Sequence, residues 1–588
     1  MPNSLLRIRF TPFLMAKKPC LSAEGLLPRG PLRPVIHTFP TGYSIHVAQI
    51  PHRHLRFNTT MTPFFGEKQL LWQRKADELR PEINRTWIAP AASVRPVLDP
   101  SVWQGVRMEP IPEGLEELSV FFRGIHTWTI DFGHHIVGTV ELELEASSHN
   151  DSPVRIEYKF AETPYEAATD LSTYKGGLSR SWLQDGVLVL DDFQEVVRIP
   201  RRYAFRYLTV KLGAPGYMLR IRRIRAEAQS SADDSRYVPL EDGGNYTMKE
   251  CAIDHCSAWT LHECMQDFFE DGPKRDRRLW LGDLRIQALV NGVTYRNWQL
   301  VERCIYLLAS VCNENGEIPG SAFILPSGAL ANCFLPTYSL LLGPTLLEHY
   351  DLYHREEICQ EMLPVALRQL EIFRKMVDPD GNLNVPKGVW VFIDHDANLV
   401  TNAAALGIYA FSLRRTALLA ERLGEPHPEL VAEAESLCRK LHRRCFDEKL
   451  SLYRAGGAYG QLSWATQVWF ILAQVPPAEV AERVWDAIFR TEDILKPRSP
   501  YLWHTVLEAG WSLGRREDVR RIINEYWGGM LRREGDTFPE LYDPADQMYS
   551  CYGDCLMNSD CHAWKLRGGI LPPATRRLAP ETGQDACE

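Results

Sequence analysis

The sequence predicts an antiparallel β-sandwich followed by an all-α domain closed as an α/α toroid. Three observations carry this. Apolar and polar residues alternate with period two between about residues 118 and 228. The polar stretch QSSADDS (229–235) then breaks the pattern. Beyond it the apolar period becomes that of helices, which come in pairs split by glycine or proline. With 588 residues, the chain is long enough for two to four domains that each bury a core.

The strands are read from TVELELE (139–145), VRIEYKF (154–160), YLTVKL (207–212) and YMLRIRRI (217–224), with turns at SSHNDSP and GAPG. The basic stretch LRIRRIR (219–225) fits the wet face of one strand. These elements bound a jelly-roll-like sandwich at 113–230. The region 1–112 is partly β and poorly defined, with RPEINRTWIAP (80–90) as an extended lead.

Leu406, Ala410, Leu413, Ala417 and Ala420 form one helical stripe, and Leu430, Ala434, Leu437, Leu441 and Cys445 another, with GEPHP between them. A second pair, 464–475 and 479–489, is split by Pro476 and Pro477, and a third, 503–513 and 517–526, by Gly514. Earlier helical stretches run over 300–312 and 356–373. The pairs share no repeating signature, which favours a closed ring over an open solenoid. The helical domain is bounded at 240–566, leaving an irregular, Pro- and Gly-rich tail at 567–588.

The net charge is -9 and no basic cluster runs beside interleaved aromatics, so no nucleic-acid partner is expected. No apolar run reaches membrane-spanning length. Arg7, Arg9 and Pro12 interrupt the one N-terminal apolar stretch, and the 14 cysteines form no regular framework, so a reduced cytoplasmic setting is expected. No metal or other cofactor is expected. SCYGDCLMNSDCH (550–562) has no zinc-module spacing and reads as buried thiols in a helix, and DPDGNLN (378–384) reads as a turn.

DGPKRDRRLWLGD (271–283) concentrates charge around one tryptophan. Two readings fit these thirteen residues. One is a helix connection whose arginines pair with its aspartates. The other is a loop at the mouth of the ring, where Trp280 and its carboxylates wall a sugar.

This segment resembles the signature loop of the α-L-rhamnosidases, glycoside hydrolase family 78. So, in chain order, do FRGIHTWTIDFGHHIVGTVELELEA (122–146), VRIEYKFAE, YAFRYLTV, YWGGMLRREGDTFPE (526–540) and NSDCHAW (558–564). The resemblance covers about residues 80–565 and implies a carbohydrate substrate and an (α/α)6 catalytic domain. It makes Asp276 the match to the general acid, a glutamate in the family, and Glu540 the match to the general base. Asp271, Arg275, Trp280 and Asp283 fall on positions that hold the sugar ring, and His562 on the histidine that contacts it. Trp390 and Asp394 match another substrate-facing loop, and Trp464 and Trp503 are candidate aromatic walls.

The family is inverting, which calls for carboxyls about 6.5–9.5 Å apart with water between them. Crowding among the loop aspartates suits Asp276 as the protonated partner, with Asp271 and Asp283 ionised. Three departures stand out. Asp276 reaches about 1.5 Å less far than a glutamate, with Glu270 as a substitute. Pro539 replaces a tryptophan, and the tail after Trp564 differs. Two further expectations stay open: a related enzyme acting on another deoxyhexoside or a uronide, and a carbohydrate-binding homologue with weak or no activity.

Overall fold

The computed structural model describes residues 64–563, apart from 148–152, 192–194, 242–244, 457–459 and 534. The N-terminal apolar stretch and the tail at 567–588 lie outside the described residues.

Eight of the described strands join in one sheet: Asn84–Ile88, Ala92–Leu98, Val106–Pro110, Phe122–Ala146, Val154–Ala161, Asp185–Leu190, Val196–Arg198 and Tyr203–Ser230. Its axis is the pair Phe122–Ala146 and Tyr203–Ser230. Thr127 faces Lys211, Thr139 faces Glu227 and Glu145 faces Arg220, so numbering rises along one strand as it falls along the other. The pairing is antiparallel. Both strands divide in half. Residues 124–131 pair with 207–214, and 138–146 with 219–228. Ala92–Leu98 and Val154–Ala161 border the first halves, while Val196–Arg198 and Asn84–Ile88 border the second.

Leu142, Leu144, Ile221 and Ile224 share a buried core with Ile156, Phe160, Leu208 and Val210. On the other face, the arginines of LRIRRIR meet the glutamates of ELELE: Arg225 with Glu141 at 2.6 Å, Arg223 with Glu143 at 2.9 Å and Arg220 with Glu145 at 2.7 Å. Cross-strand charge pairs account for that basic stretch.

The sheet starts at Asn84, well before the expected boundary at 113. Asn84–Ile88 has no buried residue and Ala92–Leu98 contains Pro96, so neither shows a period-two apolar pattern. The helix Glu67–Glu78 precedes the sheet but packs on the helical region, where its buried Trp72 donates to Glu361 at 2.9 Å.

The helical region opens with Met248–Cys264, whose first turn is closed by a Thr247/Glu250 capping box. Leu281–Val293, Trp298–Ala309, Leu342–Tyr353 and Glu356–Arg374 follow. The expected pairs are present as Asn402–Arg422 with Pro428–Cys445, Trp464–Leu472 with Ala478–Arg490, and Pro500–Ser512 with Arg516–Ile522. Gly424 and Gly514 end their helices at φ 78° and 76°, a conformation glycine adopts without strain. The stripes predicted to be apolar are buried.

Residues 550–562 form turns and one short 3-10 segment, Cys555–Met557, instead of a helix. Their thiols go separate ways. Cys551 is exposed beside His395, whereas Cys555 and Cys561 are buried. The Asp378 carboxylate closes its own turn, accepting the N–H groups of Asp380 at 3.0 Å and Asn382 at 2.8 Å. Among the described residues, no helix is long and apolar enough to cross a membrane.

Candidate active site

The loop 271–283 leaves the helix Met248–Cys264 and feeds the short strand Leu279–Trp280 and the helix Leu281–Val293. It is folded on itself. Asp271 N–H donates to the Arg278 carbonyl at 3.1 Å, and the Asp271 carboxylate accepts the N–H groups of Asp276 and Arg278 at 3.2 and 3.1 Å. Gly272 is required here, because a Cβ would sit 2.5 Å from the Arg275 carbonyl oxygen. The strand Leu279–Trp280 pairs with Ser321–Ile324, which turns Trp280 edge-on to Tyr338 with ring centroids 6.2 Å apart.

The loop borders a cavity of about 630 Å3. Asp271, Arg275, Asp276, Arg278, Trp280 and Asp283 line it from the loop. Tyr338, Trp390, Phe392, Asp394 and His395 line it from the middle of the helical region, and Glu540, Tyr552 and His562 from the end of the described chain. Leu178 and Trp182 reach it from the connection that precedes the strand Asp185–Leu190.

Arg275 organises the charges. One terminal nitrogen donates to Glu540 and the other to Asp276 at 3.1 Å, while Nε donates to the Met557 carbonyl at 3.0 Å. Its guanidinium lies 4.1 Å from the centre of the Tyr552 ring. Glu540 also accepts the Tyr552 hydroxyl, and its backbone N–H donates to the Ser559 carbonyl at 2.8 Å. Burial alone would raise the Glu540 carboxyl. The charges of Arg275, His562 and His395 outweigh that and, with the Tyr552 hydroxyl, hold it at about 2. Glu540 is therefore ionised at neutral pH.

Asp271 behaves in the opposite way. Burial, reinforced by the charge of Asp276, pushes it up to about 8 against its two backbone N–H groups. The expectation that it stays ionised is thus corrected, because it is buried where the other loop carboxylate repels it. Asp283 hydrogen-bonds the Tyr338 hydroxyl and lies 4.0 Å from His562 Nε2. Asp394 lines the cavity but also clamps a turn, accepting the N–H groups of Arg498 and Ser499 and the Ser499 hydroxyl. Burial pushes it up to about 6.

Nine residues singled out from the sequence thus meet at one cavity: Asp271, Arg275, Asp276, Trp280, Asp283, Trp390, Asp394, Glu540 and His562. Trp464 and Trp503 do not. Their rings pack 5.4 Å apart, Trp464 against Phe489 and Trp503 against Tyr526, in the helical core away from the cavity. Trp464 begins the helix Trp464–Leu472 and Trp503 lies in the first turn of Pro500–Ser512, and the sequence does not say which end of a helix faces the cavity. Glu270 is paired to Arg202 at 2.7 and 2.8 Å and does not line the cavity. His395, Tyr552 and Arg278 were missed. His395 sits in the same FIDHD stretch as Asp394, a usable signal, whereas Leu178 and Trp182 carried none.

The N-terminal domain model of glycosyl hydrolase family 78 alpha-rhamnosidases matches residues 90–228. No curated protein matches the chain in sequence. Among solved structures, a rhamnosidase from Klebsiella oxytoca with rhamnose bound is similar at 35% identity and a TM-score of 0.80, over 86% of this chain and 98% of that one. A family 78 rhamnosidase from Bacillus sp. GL1 shares the fold at 21% identity and a TM-score of 0.66, over 79% of this chain and 48% of that one. An alpha-L-rhamnosidase from Streptomyces avermitilis complexed with L-rhamnose does so at 16% and 0.60, over 83% and 43%. A cavity walled by carboxylates and tryptophan, on a fold shared with these proteins, makes the chain a glycosidase. It belongs to glycosyl hydrolase family 78, the α-L-rhamnosidases.

Proposed function

We propose that the protein removes terminal α-L-rhamnose from rhamnosides with inversion, Glu540 acting as general base and Asp276 as general acid. The observation that carries this is the shared guanidinium. Glu540 and Asp276 come from segments 264 residues apart, yet both bond Arg275 at the cavity. An ionised Glu540 accepts a proton from the attacking water, while Asp276 passes to the departing glycosidic oxygen the proton that burial and mutual repulsion keep on the Asp271–Asp276 pair. Asp283 and His562 meet sugar hydroxyls, and Trp280 offers a ring to an apolar sugar face. The rhamnose in the Klebsiella relative supports the choice of sugar.

A second reading is favoured by the raised carboxyl of Asp271. It carries a proton at neutral pH and lines the same cavity, as a general acid must.

The finer architecture belongs to the same proposal. The two halves of Phe122–Ala146 and Tyr203–Ser230, with their different neighbours and shared core, are read as the two layers of a sandwich. The helix pairs from Met248 onward are read as an (α/α)6 ring around the cavity. The domain division at 230–240 and a cytoplasmic location complete the reading.

A panel of nitrophenyl glycosides tests the function, with NMR identification of the first-formed anomer. Turnover of the α-L-rhamnoside with β-rhamnose appearing first is expected. A rise in melting temperature with rhamnose but no turnover of any rhamnoside would leave a binding protein instead.

A further inference from the structure

Behind the cavity lies a chain of buried charges that the mechanism above does not use. His135, at the bend of the strand Phe122–Ala146, is 1% exposed. Its Nδ1 lies 2.9 Å from Glu263, in the helix that leads into the loop 271–283, and its Nε2 lies 3.1 Å from Glu162, just after the strand Val154–Ala161. Burial works against a charge on His135, but the two carboxylates raise it to about 10, so it is an imidazolium flanked by two anions. The second oxygen of Glu162 accepts the N–H of Asp560 at 2.7 Å and faces Lys274 Nζ at 3.7 Å.

Lys274, itself 2% exposed, pairs with Glu166 at 2.7 Å and donates to the carbonyls of Leu556 and Asn558 at 3.3 and 3.2 Å. Its neighbour Arg275 takes the carbonyl between them, that of Met557. Two consecutive loop residues therefore grip three consecutive carbonyls. The chain segment they grip continues to Ser559, which pairs with the Glu540 backbone, and to His562.

We infer that Glu162, together with His135 and Lys274, is a positioning residue of the sheet region that locks the loop 271–283 against the 556–562 segment and so sets Arg275 against Glu540. Glu162 does not line the cavity, and the partners of its carboxylate are His135, Lys274 and the Asp560 N–H. It acts through Lys274 and the Asp560 N–H, which fix the two arms that Arg275 spans. The inference rests on Glu540 being the general base. Buried charges of this kind are costly unless every partner is in place, and losing one releases the rest.

The test is the pH profile of kcat/KM for an aryl α-L-rhamnoside, measured on the full chain, because its acid limb reports the essential base of the free enzyme. Glu540 faces Arg275 from the loop, His395 from the FIDHD stretch, and Cys551, Tyr552 and His562 from the last described stretch. Of these, Arg275 adjoins Lys274 on the loop and His562 lies on the segment that Lys274 grips. Glu162→Gln is expected to lower kcat up to about a hundredfold, with little change in KM. It should also raise the acid limb by about one pH unit or more as Arg275 loosens from Glu540. Glu162→Asp, which keeps the charge, is expected to recover most of the limb position.

A Glu162→Gln enzyme with a lower melting temperature but an unmoved acid limb would overturn the inference, leaving Glu162 a structural residue only. If that variant does not fold, Lys274→Gln is measured in the same way and with the same two outcomes. Glu540→Gln serves as the separate control. Full activity in that variant defeats the general-base reading itself, whereas its inactivity beside an unmoved limb defeats only the positioning role.

Discussion

Arg275 and Glu540, 265 residues apart in the chain, form an ion pair in which both side chains are 4% exposed. The ion pair joins the two halves of the proposed acid–base pair directly, because the same guanidinium also reaches Asp276.

Replacing Arg275 by methionine tests that pairing. Glu540 is depressed in the fold to about 2, so its contribution to stability is present above its unfolded value near 4.3 and is lost as pH falls toward 2. Arg275→Met is expected to weaken that acid-side dependence and to cost about 3–5 kcal/mol, since a buried carboxylate loses its cation. Denaturant unfolding between pH 3 and 7 checks both. An unchanged pH dependence would show that Arg275 does not hold Glu540 down.

Leaving-group dependence separates the two candidate acids. If Asp276 donates the proton, Asp276→Asn should lower turnover of an alkyl rhamnoside about a hundredfold or more while a dinitrophenyl rhamnoside suffers far less. Asp271→Asn should then slow both substrates alike. The reverse pattern would move the acid to Asp271.

The raised carboxyl of Asp271 has its own signature. A group whose folded value lies above its unfolded value adds stability below about 4 and loses it as pH rises toward about 8. Asp271→Asn cannot ionise, so the variant should gain stability relative to the native chain across that window. Melting temperatures measured from pH 4 to 9 would show it, and parallel curves would refute it.

Trp280 is proposed as the aromatic wall of the sugar subsite. Its truncation to alanine should cost about 1 kcal/mol of sugar contact, roughly a fivefold rise in KM with kcat less affected. An unchanged KM would take the ring out of the subsite.

Much of this site was legible because its residues cluster in short motifs. DGPKRDRRLWLGD brought Asp271, Arg275, Asp276, Trp280 and Asp283 to the cavity together, and GVWVFIDHD brought Trp390 and Asp394. Helix pairs were legible where breakers such as Gly424 and Gly514 closed a periodic stripe. Trp464 and Trp503 misled because an apolar helix buries tryptophan equally well away from a cavity. The ionisation of Asp271 was hidden too, since it depends on burial that the charged sequence of the loop does not announce. The strands at 84–110 were legible only as a partly β region with an extended lead at 80–90: Asn84–Ile88 has no buried residue, and Ala92–Leu98, which pairs on both sides, is interrupted by Pro96.

The helix Glu67–Glu78 bears on how the protein is made. Trp72 donates to Glu361, 289 residues further along, and Gln69 reaches the Ser310 and Cys312 carbonyls. During synthesis this helix leaves the ribosome before any of its partners exist, and the strands that follow it can pair while it waits. Such distant contacts are slow to form and leave apolar surface open to aggregation in the interval. A gene fragment that starts at the helical half would lack the piece that covers it, so dissecting the polypeptide at the sheet boundary is expected to yield insoluble product.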